Sequence, residues 1–391
     1  IPLYLRSTPM RKPLAFIILT LCLITIPMAL TASNLQQVVS VRDDVHEAIT
    51  HLYIQQGLAL PSSSGPWSGD ELMKMLERIN PDELSPAGKR TYTYAYSRLT
   101  DHVTRKGNAS VLVDFGLELA AETYLKTNTD DDFAKREEIW LYDYTQRSPV
   151  LNLPLEVWAV DNFYGYFEVP IMNSRHFEYF DQGLTTNLVA DQIIKGNPTH
   201  AVHIPRIGYV SAGGDHWNIQ FGRDVLSWGD GISGNLILGD HLDYHEFIKF
   251  STYHKRFKFT TVISSFMHPG PFFEEETNKY LDGPGGPIGF ESTPPIDQFR
   301  AFIGHRLEFL PWDTFKISIS ETMMYMGDNF DFRFLNPGMI YHNYYMRSNS
   351  KSMIALDFDF TPSKNYNIYL NTVIDDHGLL SDSRAVGLLG G

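Results

Sequence analysis

The chain has 391 residues and a formal net charge of −14, with 32 Lys+Arg against 46 Asp+Glu and a single cysteine. That balance argues against nucleic acid as a partner, and one cysteine supports neither a disulfide framework nor a thiolate zinc site. A mean hydropathy of −0.21 looks too polar for a membrane protein, yet a strand barrel shows only alternate residues to lipid and keeps a wet lumen.

Ile1 to Pro9 precede Met10-Arg11-Lys12, after which an apolar run extends from Pro13 to about Leu30 and meets Thr31, Ala32 and Ser33. A basic flank, an apolar stretch and small residues read as a secretory signal peptide starting at Met10, so 1–33 is set apart from the fold. Cys22 lies inside that run, leaving the remainder without cysteine and with 29 Lys+Arg against 46 Asp+Glu. Leu21 is not the small residue that a lipid-anchored start requires before its cysteine.

Residues 34–107 predict a small helical bundle. Val45, Ala48, Ile49, Leu52 and Tyr53 share one helical face, with Asp43 and Asp44 in the first turn and Gly57 at the stop. Ser68 with Glu71 forms a capping box ahead of Leu72, Met75, Leu76 and Ile79, and Pro81 ends that helix. A third helix starts with Ser85 as cap and Pro86 at its first position, and is expected to bury Tyr92, Tyr96 and Leu99.

From Val111 the period changes to two. Val111, Val113, Phe115, Leu117 and Leu119 alternate with residues that include Asp114, Gly116 and Glu118. The split recurs in Trp217, Ile219 and Phe221, and in Leu356, Phe358 and Phe360. A soluble sandwich would alternate too, so the connections decide. Short ones fall at Gly213-Gly214-Asp215, Lys255-Arg256, Pro311-Trp312-Asp313 and Pro362-Ser363-Lys364, and long ones at 224–243, 268–298 and 327–350. Strict alternation of short and long is expected of an all-β, antiparallel transmembrane β-barrel with short inner turns and long outer loops. The barrel is assigned to 108–391, and the threading direction puts the helical bundle in the periplasm.

Strands are predicted near 109–126, 135–146, 151–170, 199–212, 216–223, 244–254, 257–267, 299–310, 314–325, 351–361 and 365–375, with another from about Arg384. The segment 151–170 is kept whole because a break at Asp161-Asn162 would reverse the side of every later loop. The 11 or 12 strands and an ending partway into a strand read as a barrel truncated at its C-terminus.

Parity places Arg306 and Glu308 in the lumen, with Lys316, Ser318 and Ser320 beside them. Arg223 is grouped with the outward set at the outer end, where it can snorkel or turn into the loop. Such lumen charges suit sugar hydroxyls and carboxylates, and equally suit a structural ion ladder that fills the lumen. Trp228, between Ser227 and Gly229, sits in a tight outer loop where a ring face could stack on a sugar, whereas Tyr244, Tyr344 and Tyr345 also suit an interfacial girdle. The stretch 268–298 is long enough to be a lid. His46 and His51 miss the spacing of a zinc pair, and His241, His245 and Glu246 make only a weak cation cluster, so no metal, cofactor or catalytic set is assigned. No nucleophile elbow, P-loop or dinucleotide fingerprint is present.

The run Phe221-Gly222-Arg223, Leu226-Ser227-Trp228-Gly229-Asp230-Gly231 and Asn235-Leu236-Ile237-Leu238 resembles the Wzi-type capsule assembly proteins of the outer membrane. Gly304-His305-Arg306-Leu307-Glu308-Phe309 and Leu335-Asn336-Pro337 look like the next two signatures of that family, and the helical start is similar as well. The resemblance spans most of the chain beyond 33. It implies a non-catalytic barrel that binds and anchors long-chain, capsular-type polysaccharide at the bacterial surface. On that basis Arg223, Ser227, Trp228, Asp230, Arg306 and Glu308 are the candidate ligand-binding residues. The expected partners are surface polysaccharide, outer-membrane lipid and, during biogenesis, the barrel-assembly machinery. The alternative is an outer-membrane porin for small solutes.

Overall fold

The computed structural model describes residues 35–106, 109–121, 150–173, 200–202, 207–232, 234–240, 244–265, 299–327, 332–336, 338–341, 350–375 and 385–391. The signal segment, the strand expected at 135–146 and the long stretch 268–298 lie outside them. Asn34–Gly391 forms one compact unit.

After β1 (Val38–Val39), α1 (Asp44–Gln56) starts where the Asp43 carboxylate accepts from the Val45 amide at 2.9 Å, and ends at Gly57 with φ 77°. β2 (Ser64–Gly65) and β3 (Trp67–Ser68) lead into α2 (Gly69–Leu76), whose cap is the Ser68 hydroxyl accepting from the Glu71 amide at 3.3 Å. In α3 (Pro86–Lys106) the Ser85 hydroxyl accepts from the Gly88 amide at 3.1 Å. Each cap satisfies amides that the first helical turn leaves unpaired. Val45, Ile49, Leu52, Tyr53, Leu72, Leu76, Ala95 and Leu99 form a shared core. Tyr96 departs from expectation and is 48 % exposed. The buried stripe of α3 runs through Tyr92, Ala95 and Leu99, and one residue further on points about 100° away from it.

His46 lies flat on Trp67, with ring centroids 3.7 Å apart, and its Nε2 meets the Ser62 carbonyl at 2.8 Å. Burial is the main cause that pushes its pKa from 6.5 down to about 3. The unfolded chain therefore takes up a proton that the folded one refuses, and stability should fall as pH drops from about 6.5 toward 3. His46→Gln should flatten that loss in melts followed by circular dichroism. Equal pH slopes in both proteins would refute the assignment.

The sheet strands are β4 (Val111–Phe115), β5 (Glu118–Leu119), β6 (Leu151–Ala159), β7 (Phe163–Asn173), β8 (His200–Val202), β9 (Gly208–Gly214) and β10 (Trp217–Asp224). After the short β11 (Ser227–Trp228) come β12 (His245–His254), β13 (Phe257–Ser265), β14 (Phe299–Trp312), β15 (Phe315–Gly327), β16 (Ser350–Ser363), β17 (Tyr366–Asp375) and β18 (Ala385–Gly390). The order is β18-β17-β16-β15-β14-β13-β12-β10-β9-β7-β6-β4, with β5 against β6 and β8 against β7. All these pairings are antiparallel. Among the described residues β4 and β18 do not pair with each other.

Two expectations change. The segment 151–170 is a hairpin, turning at 160–162 with Val160 at φ 48°, because Asp161-Asn162 are turn formers. The side of the later loops is nonetheless kept, since β6 pairs directly with β4. The first strand is also broken, between β4 and β5, opposite Pro154. Proline offers no amide to the ladder, and a Cβ at Gly116 would lie 2.5 Å from its ring. Short turns now fall at 160–162, 215–216, 255–256, 313–314 and 364–365, with a long connection between each.

The helices sit at the short-turn end. Lys74 reaches Asp215 at 3.9 Å, Arg78 reaches Asp313 at 3.3 Å, and the Ile54 carbonyl accepts from the Asn365 amide at 2.9 Å. Outward side chains such as Phe221, Phe309 and Ile319 are exposed apolar groups, while their sequence neighbours Gln220, Glu308 and Ser318 are buried. That is barrel alternation, apolar outside and polar inside. Among the described residues no helix is long and apolar enough to cross a membrane.

Candidate functional site

The inward face of β12–β16 closes on the extended chain between α1 and α2. Leu60 donates its amide to Asp359 on β16 at 2.7 Å, and Lys316 on β15 donates to the Pro61 carbonyl at 2.8 Å. Ser62, Ser63 and Ser64 all bond Glu308 on β14. Lys258 on β13 donates to the Ser64 carbonyl at 2.9 Å, and Lys249 on β12 to the Pro66 carbonyl. The chain thus crosses five successive strands between Leu60 and Pro66. Six residue steps of extended chain cover about 20 Å, and four interstrand spacings about 19 Å, so the segment lies straight across the inward face of these five strands.

Charge decides which group meets which. Lysines take the carbonyls of the crossing segment, and carboxylates take its amides and hydroxyls. Arg306 completes the set, with its guanidinium on Asp357, on Ser320 at 2.9 Å, on Ser63 at 3.2 Å and beside Glu308 at 3.4 Å. Lys258 also meets Glu71 of α2 at 2.5 Å. The Glu71 pKa is raised, by burial first, against the opposing pull of Lys258 and Lys249.

From the opposite end the connection after β10 descends into the same space. β11 pairs with β2, Ser227 opposite Gly65 and Trp228 opposite Ser64. Trp228 is 2 % exposed and packs edge-on to Phe302 and against Gly304, where a Cβ would lie 3.0 Å from its ring. Asp230 reaches Lys316 at 3.0 Å. Asn235 ties the loop shut, donating to the Ser227 hydroxyl at 2.9 Å and accepting from the Gly231 amide at 3.0 Å. Gly229 is required there. Its φ is 132°, and a Cβ would come within 2.2 Å of the Asn235 side chain. Gly229→Ala should therefore loosen the loop at a cost of about 1–3 kcal/mol, read as faster proteolysis within 225–244. Unchanged cleavage would contradict this.

The sequence-based residues separate into two places. Ser227, Trp228, Asp230, Arg306 and Glu308 meet in the lumen, bonded to the chain's own groups. Trp228 presents no open ring face there. Arg223 stands apart, bonded to Glu246 and lying 4.1 Å over the Tyr244 ring, in the outward register of Trp217, Ile219 and Phe221. Sequence reasoning missed the crossing segment itself. The signal in Pro61-Ser62-Ser63-Ser64-Gly65-Pro66 was a run of small hydrogen-bonding residues that proline keeps extended.

No family model matches the chain, and no curated protein matches it. Among solved structures it is similar to Wzi, an outer-membrane protein involved in group 1 capsule assembly in Escherichia coli and described as a carbohydrate-binding β-barrel. The TM-score is 0.52 at 14% identity, over 90% of this chain and 66% of that one. The likeness is one of fold.

Proposed function

We propose that this chain is an outer-membrane barrel that binds long-chain, capsular-type polysaccharide and anchors it at the cell surface. It acts by recognition and not by catalysis, with the helices on the periplasmic side. The observation that carries the reading is the segment that crosses the inward face of β12–β16. Two segments entering from opposite ends pair as β2 and β11 inside the sheet, which supports a binding surface over a solute pore. Wzi, the structural neighbour, is described as carbohydrate-binding, which is consistent with this. Arg306, Glu308, Asp230 and Trp228 then serve the ligand by holding the loop in shape, while Arg223 stands nearer the surface. Many weak contacts along a polymer would supply avidity that no single contact has.

The porin alternative would need a continuous wet path, and the crossing segment weighs against one. The test is deletion of the gene in its host, with high-molecular-weight polysaccharide followed in cells and medium at constant total synthesis. Release into the medium is expected. Unchanged retention would overturn the anchor reading.

A further inference from the structure

The outward face of the sheet changes character along its height. Near the short turns its side chains are exposed and apolar, with Leu307 and Phe309 on β14, Ile319 on β15 and Phe360 on β16. Toward the long connections the outward side chains of the same wall are covered. Arg306 and Glu308 turn inward, so parity turns Ala301, Ile303 and His305 outward, and Met323 and Glu321 stand opposite the last two on β15. Ala301 and Ile303 are nevertheless 0 % exposed and Met323 is 2 % exposed.

Their cover is the connection after β15, of which residues 332–336 and 338–341 are described. Phe334, Met339 and Tyr341 pack on Ala301, Ile303 and Met323. The Phe334 ring meets Tyr325 edge-on with centroids 5.0 Å apart, and the Tyr341 ring lies 4.8 Å from that of His305. A connection expected to stand in water as an outer loop lies instead against the outside of the wall.

Beneath it is a pair that hydrocarbon would not accept. His305 Nε2 stands 3.2 Å from a Glu321 carboxylate oxygen. A membrane strand needs about 9–11 residues. β14 has 14, and His305 is at its middle, so the pair falls within the span wherever the membrane edges are set. Ionisable groups facing lipid are costly, and Tyr341 covers this pair on the membrane side.

The far side of the covering segment is apolar as well. Phe332 is 77 % exposed and Ile340 56 %, with Arg333 and Asn336 as exposed polar neighbours. The backbone partly closes on itself, since the Asn336 amide donates to the Arg333 carbonyl and the Met339 amide to the Asn336 carbonyl, each at 3.1 Å. One level suits this mixture. Hydrocarbon does not tolerate irregular backbone on a lipid-facing side, and water does not favour two bared large apolar groups, whereas the boundary between acyl chains and headgroups accepts both. The exposed belt of Leu307 and Ile319 begins one row below His305 and Glu321, so apolar surface continues from the belt to this segment.

We propose that residues 332–336 and 338–341 form a lipid-binding flap on the outside of β13–β15, which presents Phe332 and Ile340 to outer-leaflet lipid at the acyl–headgroup boundary and seals His305 and Glu321 from hydrocarbon. This rests on the outer-membrane part of the reading above and adds a membrane contact made by a connection rather than by strands.

The test is nitroxide labelling of the full chain in vesicles of phosphatidylethanolamine and phosphatidylglycerol. Cys22→Ser removes the one native cysteine. Phe332→Cys and Ile340→Cys are then labelled singly, beside Phe309→Cys in the belt and Lys255→Cys in a short turn. Collision with oxygen, which favours lipid, is compared with collision with a water-soluble nickel chelate. Labels at 332 and 340 should give an oxygen-to-nickel ratio several-fold above that at 255 and close to that at 309. A ratio equal to that at 255 would place the flap in water and overturn the proposal. Exclusion of both agents would overturn it in favour of a protein partner or a second copy. Both positions are exposed, so labelling should leave heat-modifiable mobility intact, and loss of the folded form would itself contradict a lipid-facing assignment. If Phe309 also read as water, the membrane reading would fail rather than the flap alone.

Discussion

Glu308→Ala should destabilise the barrel by about 3–5 kcal/mol, the range for removing one partner of a buried ion network. The carboxylate takes bonds from Ser62, Ser63 and Ser64 and stands beside the Arg306 guanidinium. Alanine would leave the Ser63 amide unmatched, take the charged acceptor from the Ser62 and Ser64 hydroxyls and leave Arg306 with a partner missing, in a place where Glu308 itself is 1 % exposed. Glu308→Gln should cost less, because an amide still accepts from the serines and only the charge is lost. The measurement is the temperature at which the detergent-folded protein loses its heat-modifiable mobility on a gel. A variant that melts with the wild type would show that Glu308 contributes nothing net. Removing Glu308 and Arg306 together should cost less than the two single effects added, since each single change strands the other group.

Much of the fold could be read from the sequence because its signals are local. Asp43, Ser68 and Ser85 cap their helices, and the period-two runs from Trp217 onward become strands with the expected inner and outer faces. The alternating turn lengths also hold. What misled was a choice between local and global evidence at Asp161-Asn162. Turn chemistry favoured a hairpin and loop parity seemed to forbid it, but parity had been counted with a strand at 135–146. The direct pairing of β4 with β6 removes the conflict.

The candidate site was legible only in part, for a different reason. Parity put Arg306 and Glu308 inside, but an inward charge does not say whether it faces water, ligand or protein. The answer lies in Leu60 to Pro66, which are 183 to 299 residues away in sequence from the groups they meet. No periodicity reports a contact at that separation. Trp228 shows the same limit. Ser227 and Gly229 marked a tight turn, yet only the three-dimensional fold reveals that the turn points into the sheet and that Gly304 leaves the space its ring needs.

A segment lying across the inward face of five strands makes its own electrical prediction, and here the change should be nearly all-or-none. Reconstituted in a planar bilayer, the full chain should give no discrete conductance steps, because residues 60–66 lie across β12–β16 and Trp228 caps them from the other side. Deleting 35–106 removes the helices and the crossing segment together. Lys249, Lys258, Arg306, Glu308 and Lys316 would then face an aqueous space, and water can solvate them, as lumen charges are solvated in open barrels. The loop that holds Trp228 would also lose Ser64 and Gly65, its strand partners. Discrete steps should appear, biased by the charges now lining the path. Steps of the same size from the intact chain would mean that the segment moves aside in a membrane. The porin alternative would then replace the anchor reading, since a lumen that opens unaided is built for passage.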